Sequence, residues 1–146
     1  MILRKATDRD AVDILQWRND PVTRAMSRNG GEVGQAAHIA WFTHALQNPA
    51  VSIFVGEDGG HKVGMVRFDH EERIVVSINI NPMCRGRGYG LTLLSDALAQ
   101  VGGEIWAEIK DDNVASRRIF EQAGFGCVEV EGGFTRYRRA ESQPTE

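Results

Sequence analysis

The sequence predicts an α/β domain of the three-layer α+β kind, a mixed, mostly antiparallel sheet of about seven strands flanked by four helices. Three observations carry this. The chain has 146 residues, of which 42% are hydrophobic, the common size for one domain whose core can fold alone. Its hydrophobic period switches between about 2 and about 3.6 in the order β α α β β β α β α β β, with no repeat and no linker. Its 16 glycines exceed the usual share of about 7%. Only four prolines accompany them and no glycine period of three appears, which excludes collagen and Pro-rich disorder. The excess points to turns or to a place where backbone approaches a ligand closely.

The elements follow in order. Ile2 to Lys5 alternates as a strand, and Thr7 with Asp10 offers a capping box that starts a helix. Ala11, Ile14, Leu15 and Arg18 share one face of that helix, which must stop before Pro21. A polar loop, Ser27 to Gly34, leads to a second helix from Gln35 to Gln47, with Ala36, Ile39, Ala40, Phe42 and Leu46 near the helical period. Val51 to Glu57, Lys62 to Asp69 and Arg73 to Ile80 read as an antiparallel meander, divided by Asp58-Gly59-Gly60 and by His70-Glu71-Glu72. A glycine-rich loop follows Pro82. Leu91 to Val101 is the third helix, closed by Gly102-Gly103, and Glu104 to Ile109 the next strand. Asp112 or Asn113 caps a helix reaching Ala123, with Ser116, Ile119, Phe120 and Ala123 inward. Phe125 to Val130 and Phe134 to Arg138 pair across Glu131-Gly132-Gly133. Residues 1–139 thus form a single domain, and 140–146 a polar tail expected to fray.

With 17 basic against 20 acidic residues the formal charge is −3, so no global field favours nucleic acid or an anionic membrane. Any anion site must be local. Cys84 and Cys127 are the only cysteines, and no secretory signal or apolar run of about 18 residues appears. A reduced cytoplasmic protein is expected. The cysteines form no CxxC, and His38, His44, His61 and His70 lack zinc-ligand spacing, so no metal is expected.

Met83-Cys-Arg-Gly-Arg-Gly-Tyr-Gly90 lies between a strand and a helix, where backbone N–H groups and the positive helix end converge on an anion. Gly86, Gly88 and Gly90 permit positive φ, and Arg85 and Arg87 add charge at the rim. A plain glycine turn is the alternative. The spacing matches neither G-x-x-x-x-G-K-[ST] nor G-x-G-x-x-G, which argues against ATP and NAD.

Arg85-x-x-Gly88-x-Gly90 after a strand, then Asn113-x-x-Ser116-x-x-x-Phe120-x-x-x-Gly124-Phe125, resembles the two signature segments of the GCN5-related N-acetyltransferases (GNAT). The element order agrees from Ile2 to about Arg138. The resemblance implies a sheet splayed between the fourth and fifth strands and acetyl-CoA as co-substrate. It implies that Arg85, Gly86, Arg87, Gly88, Tyr89 and Gly90 cradle the pyrophosphate. The pantetheine arm would hydrogen-bond the strand through Ile78 and Ile80, with Asn113, Ser116 and Phe120 beside it. A finer resemblance lies in Trp17-Arg-Asn-Asp-Pro21, His38, Trp41-Phe42, Val63-Gly-Met-Val-Arg67-Phe68-Asp69 and Val76-Ser-Ile78. These are similar to the branch that N-acetylates the 4-amino group of UDP-linked sugars, including domains of pseudaminic acid synthesis. Ribosomal-protein N-terminal acetyltransferases carry a Trp-Arg-Asn-like segment too.

Acetyl transfer needs a neutral amine against the thioester carbonyl, donors for the developing oxyanion and a proton for the thiolate. A backbone N–H near Ile80 is the expected donor. Many relatives place a carboxylate on the strand where Ser77 and Asn79 stand here, and neither accepts a proton usefully near neutral pH. Glu108 on the neighbouring strand is the expected group to orient a water relay, with an exposed strand carboxylate as the plain alternative. Relatives often have Tyr where Phe120 stands, so the thiolate leaves unassisted or Tyr89 or Tyr137 substitutes. Trp17 and Trp41 are candidates to stack on an acceptor ring, and Arg18, His38 and Arg67 to meet its phosphates or hydroxyls. Each has a structural alternative: core packing for the aromatics, a satisfied helix end for His38, an Asp69 or Glu72 partner for Arg67. Cys84 reads as a packed hydrophobe. The acceptor is thus a small-molecule amine, a UDP-amino sugar in the finer reading, with a protein N-terminus or another small amine as rival. A non-catalytic acyl-CoA sensor is the reading from another class, and the assembly is a monomer or homodimer.

Overall fold

Pro21 does more than end a helix. The computed structural model describes residues 1–141, and in it α1 (Ala11–Asn19) gives way at once to a second helix, α2 (Pro21–Ala25), with Pro21 in its first turn. Proline is tolerated there because the first N–H groups of a helix are unpaired in any case. Asp20 caps α2, its Oδ2 accepting from the N–H groups of Val22 and Thr23 at 3.1 and 3.2 Å. Among the described residues the α-helices therefore number five, not four: α3 (Gln35–Gln47), α4 (Tyr89–Leu98) and α5 (Val114–Gln122) complete them. A turn of 3-10 helix, Asp8–Asp10, precedes α1, and the Asp10 carboxylate accepts from the Thr7 N–H at 2.8 Å as the capping box requires.

The strands are β1 (Ile2–Lys5), β2 (Val51–Asp58), β3 (His61–His70), β4 (Ile74–Ile80), β5 (Ile105–Lys110), β6 (Gly126–Glu131) and β7 (Phe134–Arg139), within a residue or two of their sequence-predicted bounds. They form one sheet in the order β1-β2-β3-β4-β5-β7-β6. Every neighbouring pair is antiparallel except β4 and β5, which are parallel and meet only at Ile74↔Ile105 and Val75↔Trp106. Beyond those two pairs the strands part, so the sheet is splayed where it was expected to be.

The pleat sends alternate residues to two cores. Val66, Phe68 and Val76 pack with Leu93, Leu94 and Ala97 of α4 and with Phe120 of α5 on one face. Ile53, Val55 and Met65 pack with Ala11, Ile14 and Trp17 of α1 and with Phe42 and Ala45 of α3 on the other. The inward stripe of α3 differs from the sequence expectation. His38, Phe42 and Ala45 are buried at spacings of four and three, whereas Ala36, Ile39 and Ala40 are exposed and Leu46 half-buried. A histidine holds the core position because its Nε2 lies 2.9 Å from the Ala11 carbonyl and its ring stacks 5.8 Å from Phe42. The polar tail was expected over 140–146, of which 142–146 lie outside the described residues.

Candidate active site

After Val75, β4 keeps β3 on one side through Ser77↔Arg67, Ile78↔Val66, Asn79↔Met65 and Ile80↔Gly64, and has no strand partner on the other. An extended chain of amides can therefore pair with Ser77 to Ile80 as an added half-strand. The glycine loop sits at the end of this open edge. A 3-10 turn, Pro82–Cys84, follows β4, and Gly86 and Gly88 adopt φ of 76° and 80°, Gly88 being the residue that caps α4. A Cβ at either would meet nothing within 4 Å. Conformation, not crowding, demands glycine at both. The loop turns bare backbone to open space before the first unpaired N–H groups of α4, an arrangement that fits a diphosphate.

The other residues of the loop divide by role. Gly90 does not have positive φ, contrary to expectation: it is helical and buried, and a Cβ there would lie 2.6 Å from Ile119 Cδ1. Its glycine lets α4 approach α5. Arg85, on the loop and exposed, pairs its Nη2 with Asp20 Oδ2 at 2.6 Å and donates from it to Thr23 Oγ1 at 2.9 Å. That hydrogen bond holds the Asp20 carboxyl below its ordinary range. Arg87 is exposed beside the loop, and the Tyr89 hydroxyl donates to Asp58 at 2.5 Å. Asn113 Oδ1 accepts from the Ser116 N–H at 3.2 Å as the cap of α5. Phe120 is 2% exposed, edge-on to Phe125 with ring centres 5.0 Å apart, and belongs to the core. Tyr137 is fully buried, its hydroxyl between Arg117 Nε and Glu121, while Cys84 is buried and Cys127 exposed.

Across the opposite face of the split runs the segment from Asp20 to Arg28, tied at three points. Asp20 holds Arg85, the Ala25 carbonyl accepts from Lys110 Nζ at 2.9 Å, and the Arg28 guanidinium pairs with Glu108 while lying 4.1 Å above the Phe134 ring. Val75↔Trp106 pairing puts Ser77, Asn79 and Glu108 on this same face. Glu108 is thus beside the parting strands as expected, with Arg28 as its partner. Nothing in the sequence marked Arg28. Asp20 was legible only as the residue before Pro21, and its reach to Arg85 was not.

The proposed acceptor residues are not brought together as one ring-binding surface. Trp17 is 5% exposed and packs in the core, with an edge on a cavity of about 760 Å³ that Asp13, Asp20, Lys62, Asn81 and Met83 also line. Trp41 is exposed and carries the Arg67 guanidinium 5.2 Å above its ring, and Arg67 pairs with Asp69 at 3.0 Å. His38 is buried and hydrogen-bonded within the fold, burial lowering its pKa against the opposing effect of the Ala11 carbonyl. Arg18 differs: its Nη2 donates to the Asn29 carbonyl, but its buried Nη1 has no partner among the described residues. Burial, then the nearby charge of Arg24, lowers its pKa. Among the described residues, no helix is long and apolar enough to cross a membrane.

A sheet split between two parallel strands stands with a positive-φ glycine loop that caps a helix at its mouth, an arrangement with room for an extended diphosphate-bearing group. Residues 1–126 match the acetyltransferase (GNAT) domain, and the chain belongs to this family, N-acetyltransferases that take acetyl from acetyl-CoA. It is 28% identical over 96 residues to the uncharacterized N-acetyltransferase YfmK of Bacillus subtilis, a match spanning 62% of this chain and 65% of that protein. It is 28% identical over 153 aligned positions to YwnH of the same organism, provisionally named a phosphinothricin acetyltransferase, covering 90% of this chain and 92% of that one. The fold superposes on yncA of Salmonella typhimurium, solved with its cofactor acetyl-CoA, with a TM-score of 0.79, 24% identity and coverage of 100% and 96%. It also matches spermidine N-acetyltransferase of Vibrio cholerae, solved with CoA and spermine, with a TM-score of 0.83, 17% identity and coverage of 96% and 95%.

Proposed function

We propose that this chain acetylates a small primary amine, which enters between the segment 20–28 and β5 and meets the thioester at the split. The observation that carries the reading is Glu108, on the polar face of the parted strands, the face that Ser77 and Asn79 share. Acetyl-CoA supplies the acetyl group as a thioester. The backbone around Gly86 and Gly88 and the N-terminus of α4 would hold its diphosphate, and the open edge of Ser77 to Ile80 its pantetheine arm. The backbone N–H at Ile80 would polarise the carbonyl, Asn79 would border the acceptor, and Glu108 would take the amine's proton through an ordered water. The thiolate leaves unassisted: Phe120 has no hydroxyl, Tyr137 is sealed in the core, and Tyr89 is committed to Asp58.

The UDP-amino sugar is the second reading, and Arg18 favours it. A buried guanidinium nitrogen without a partner among the described residues suits a phosphate or carboxylate on the acceptor. The burial of His38 and Trp17 and the internal pairing of Arg67 weigh against it, because three residues that suggested that branch serve the fold. Thiol release measured with UDP-4-amino sugars, small amines and N-terminal peptides separates the readings. Turnover on a small amine supports the first, turnover confined to the nucleotide sugars supports the second, and binding without turnover overturns both.

A further inference from the structure

Over β5, β7 and β6, on the side of Glu108 away from β4, Arg28, Glu108, Glu129, Glu131, Phe134 and Arg136 line an open cavity of about 280 Å³. Arg136 is committed to Glu129 at 2.8 Å, and among the described residues Glu131 has no ion-pair partner. The remaining cation, Arg28, lies flat 4.1 Å from the centre of the Phe134 ring and pairs with Glu108. An aromatic face and a carboxylate meeting on one cation is how a protein recognises an ammonium or guanidinium ligand. Here the cation is the chain's own.

From this geometry we infer that Phe134 and Glu108 form a subsite for a second, cationic group of the acceptor, apart from the neutral amine that is acetylated, and that Arg28 guards it, holding the place until an acceptor displaces it. The inference rests on the acetyl-transfer reading for its acceptor, and on the cavity alone for its cation. Two features suit Arg28 to leave. Its side chain is 65% exposed, so its pair with Glu108 is weak and easily rehydrated. It also comes from the polar loop after α2, whereas the buried ion pair at Asp10 joins regular elements. Arg28 is therefore a specificity-determining residue: an acceptor enters by matching the guanidinium's two contacts, and a neutral or anionic group in its place leaves Glu108 without a partner.

The test needs no turnover in its first arm. Methylguanidinium is titrated into the wild-type chain and into Arg28→Ala, with the Phe134 ring signals followed by NMR. The variant is expected to bind the probe about three- to five-fold more tightly, because a site held by its own weakly bound occupant shows a reduced apparent affinity. Equal binding by both proteins, or no shift at Phe134 in the variant, overturns the proposal. In the second arm, KM for a cationic acceptor is expected to fall several-fold in Arg28→Ala and to lie in between in Arg28→Lys. A raised KM with a lowered kcat, as a merely structural role would give, contradicts it. A wild-type chain that acetylates no amine defeats the acetyl-transfer reading, and the titration still decides the subsite.

Discussion

Replacing Asp10 by asparagine removes the charge at the centre of the one buried ionic cluster among the described residues. The Asp10 side chain is 1% exposed and accepts from Arg4 Nη1 and Nη2 at 2.8 Å each and from the Thr7 N–H at 2.8 Å, with Lys62 Nζ 2.8 Å from Oδ1. Burial alone pushes this carboxyl up, but the hydrogen bonds from Arg4, Lys62 and Thr7 outweigh it and hold it well below the ordinary carboxylate range. Breaking a buried ion pair costs about 3–5 kcal/mol. Arg4 and Lys62 remain 30% and 24% exposed and can regain water, so the lower end applies, about 3 kcal/mol. For a chain of this size that is a fall in Tm of roughly 6–12 °C. The pH dependence follows from the sign: a depressed carboxyl stabilises fully above its unfolded value, 3.8, and the contribution is lost as pH falls below it. Urea unfolding of wild type and Asp10→Asn at pH 7 and pH 3 is the assay. A loss under about 1 kcal/mol at pH 7, or a gap that does not narrow at pH 3, refutes the reasoning.

Three further outcomes are expected. Gly88→Val places a β-branched residue at φ of 80°, where left-handed backbone costs about 1–2 kcal/mol; calorimetry should show acetyl-CoA affinity lost by more than ten-fold, and retained affinity would mean that the loop does not hold the cofactor. Glu108→Gln should lower kcat by about 10²-fold or more and flatten its pH profile, and unchanged turnover across pH would remove Glu108 from the mechanism. Phe42 is fully buried, so Phe42→Ala should cost about 3–5 kcal/mol in urea unfolding, and a loss under 1 kcal/mol would contradict its place in the core.

The sequence carried most of the fold, because strands and helices here follow their own periods and punctuation. Gly132 and Gly133 turn the last hairpin with positive φ, Asn113 caps α5, and Pro82 ends β4, each a local device legible without tertiary context. The misses have one physical cause, which is that a partner elsewhere in the chain changed what a residue does. His38 is core because the Ala11 carbonyl satisfies it, and Ile39 is exposed because that stripe won. Gly90 lacks the expected positive φ because it is packed against Ile119, and the pairing of Arg85 with Asp20 was not readable across 65 positions. The glycine loop was readable because its positive φ at Gly86 and Gly88 is a backbone conformation, and glycine spacing records conformation. The surroundings of Glu108, where we propose the acceptor binds, were not, since the contact between Arg28 and Glu108 spans 80 positions and leaves no spacing to read.

A chain of this family moves acetyl from acetyl-CoA to an amine, and we place that transfer at the parted strands. Purified protein with acetyl-CoA should release free thiol only when a primary amine is added, with mass spectrometry locating one acetyl group on that amine. Tight binding of acetyl-CoA with no amine-dependent thiol release across small amines, amino sugars and peptides would contradict the account and make the chain an acyl-CoA sensor.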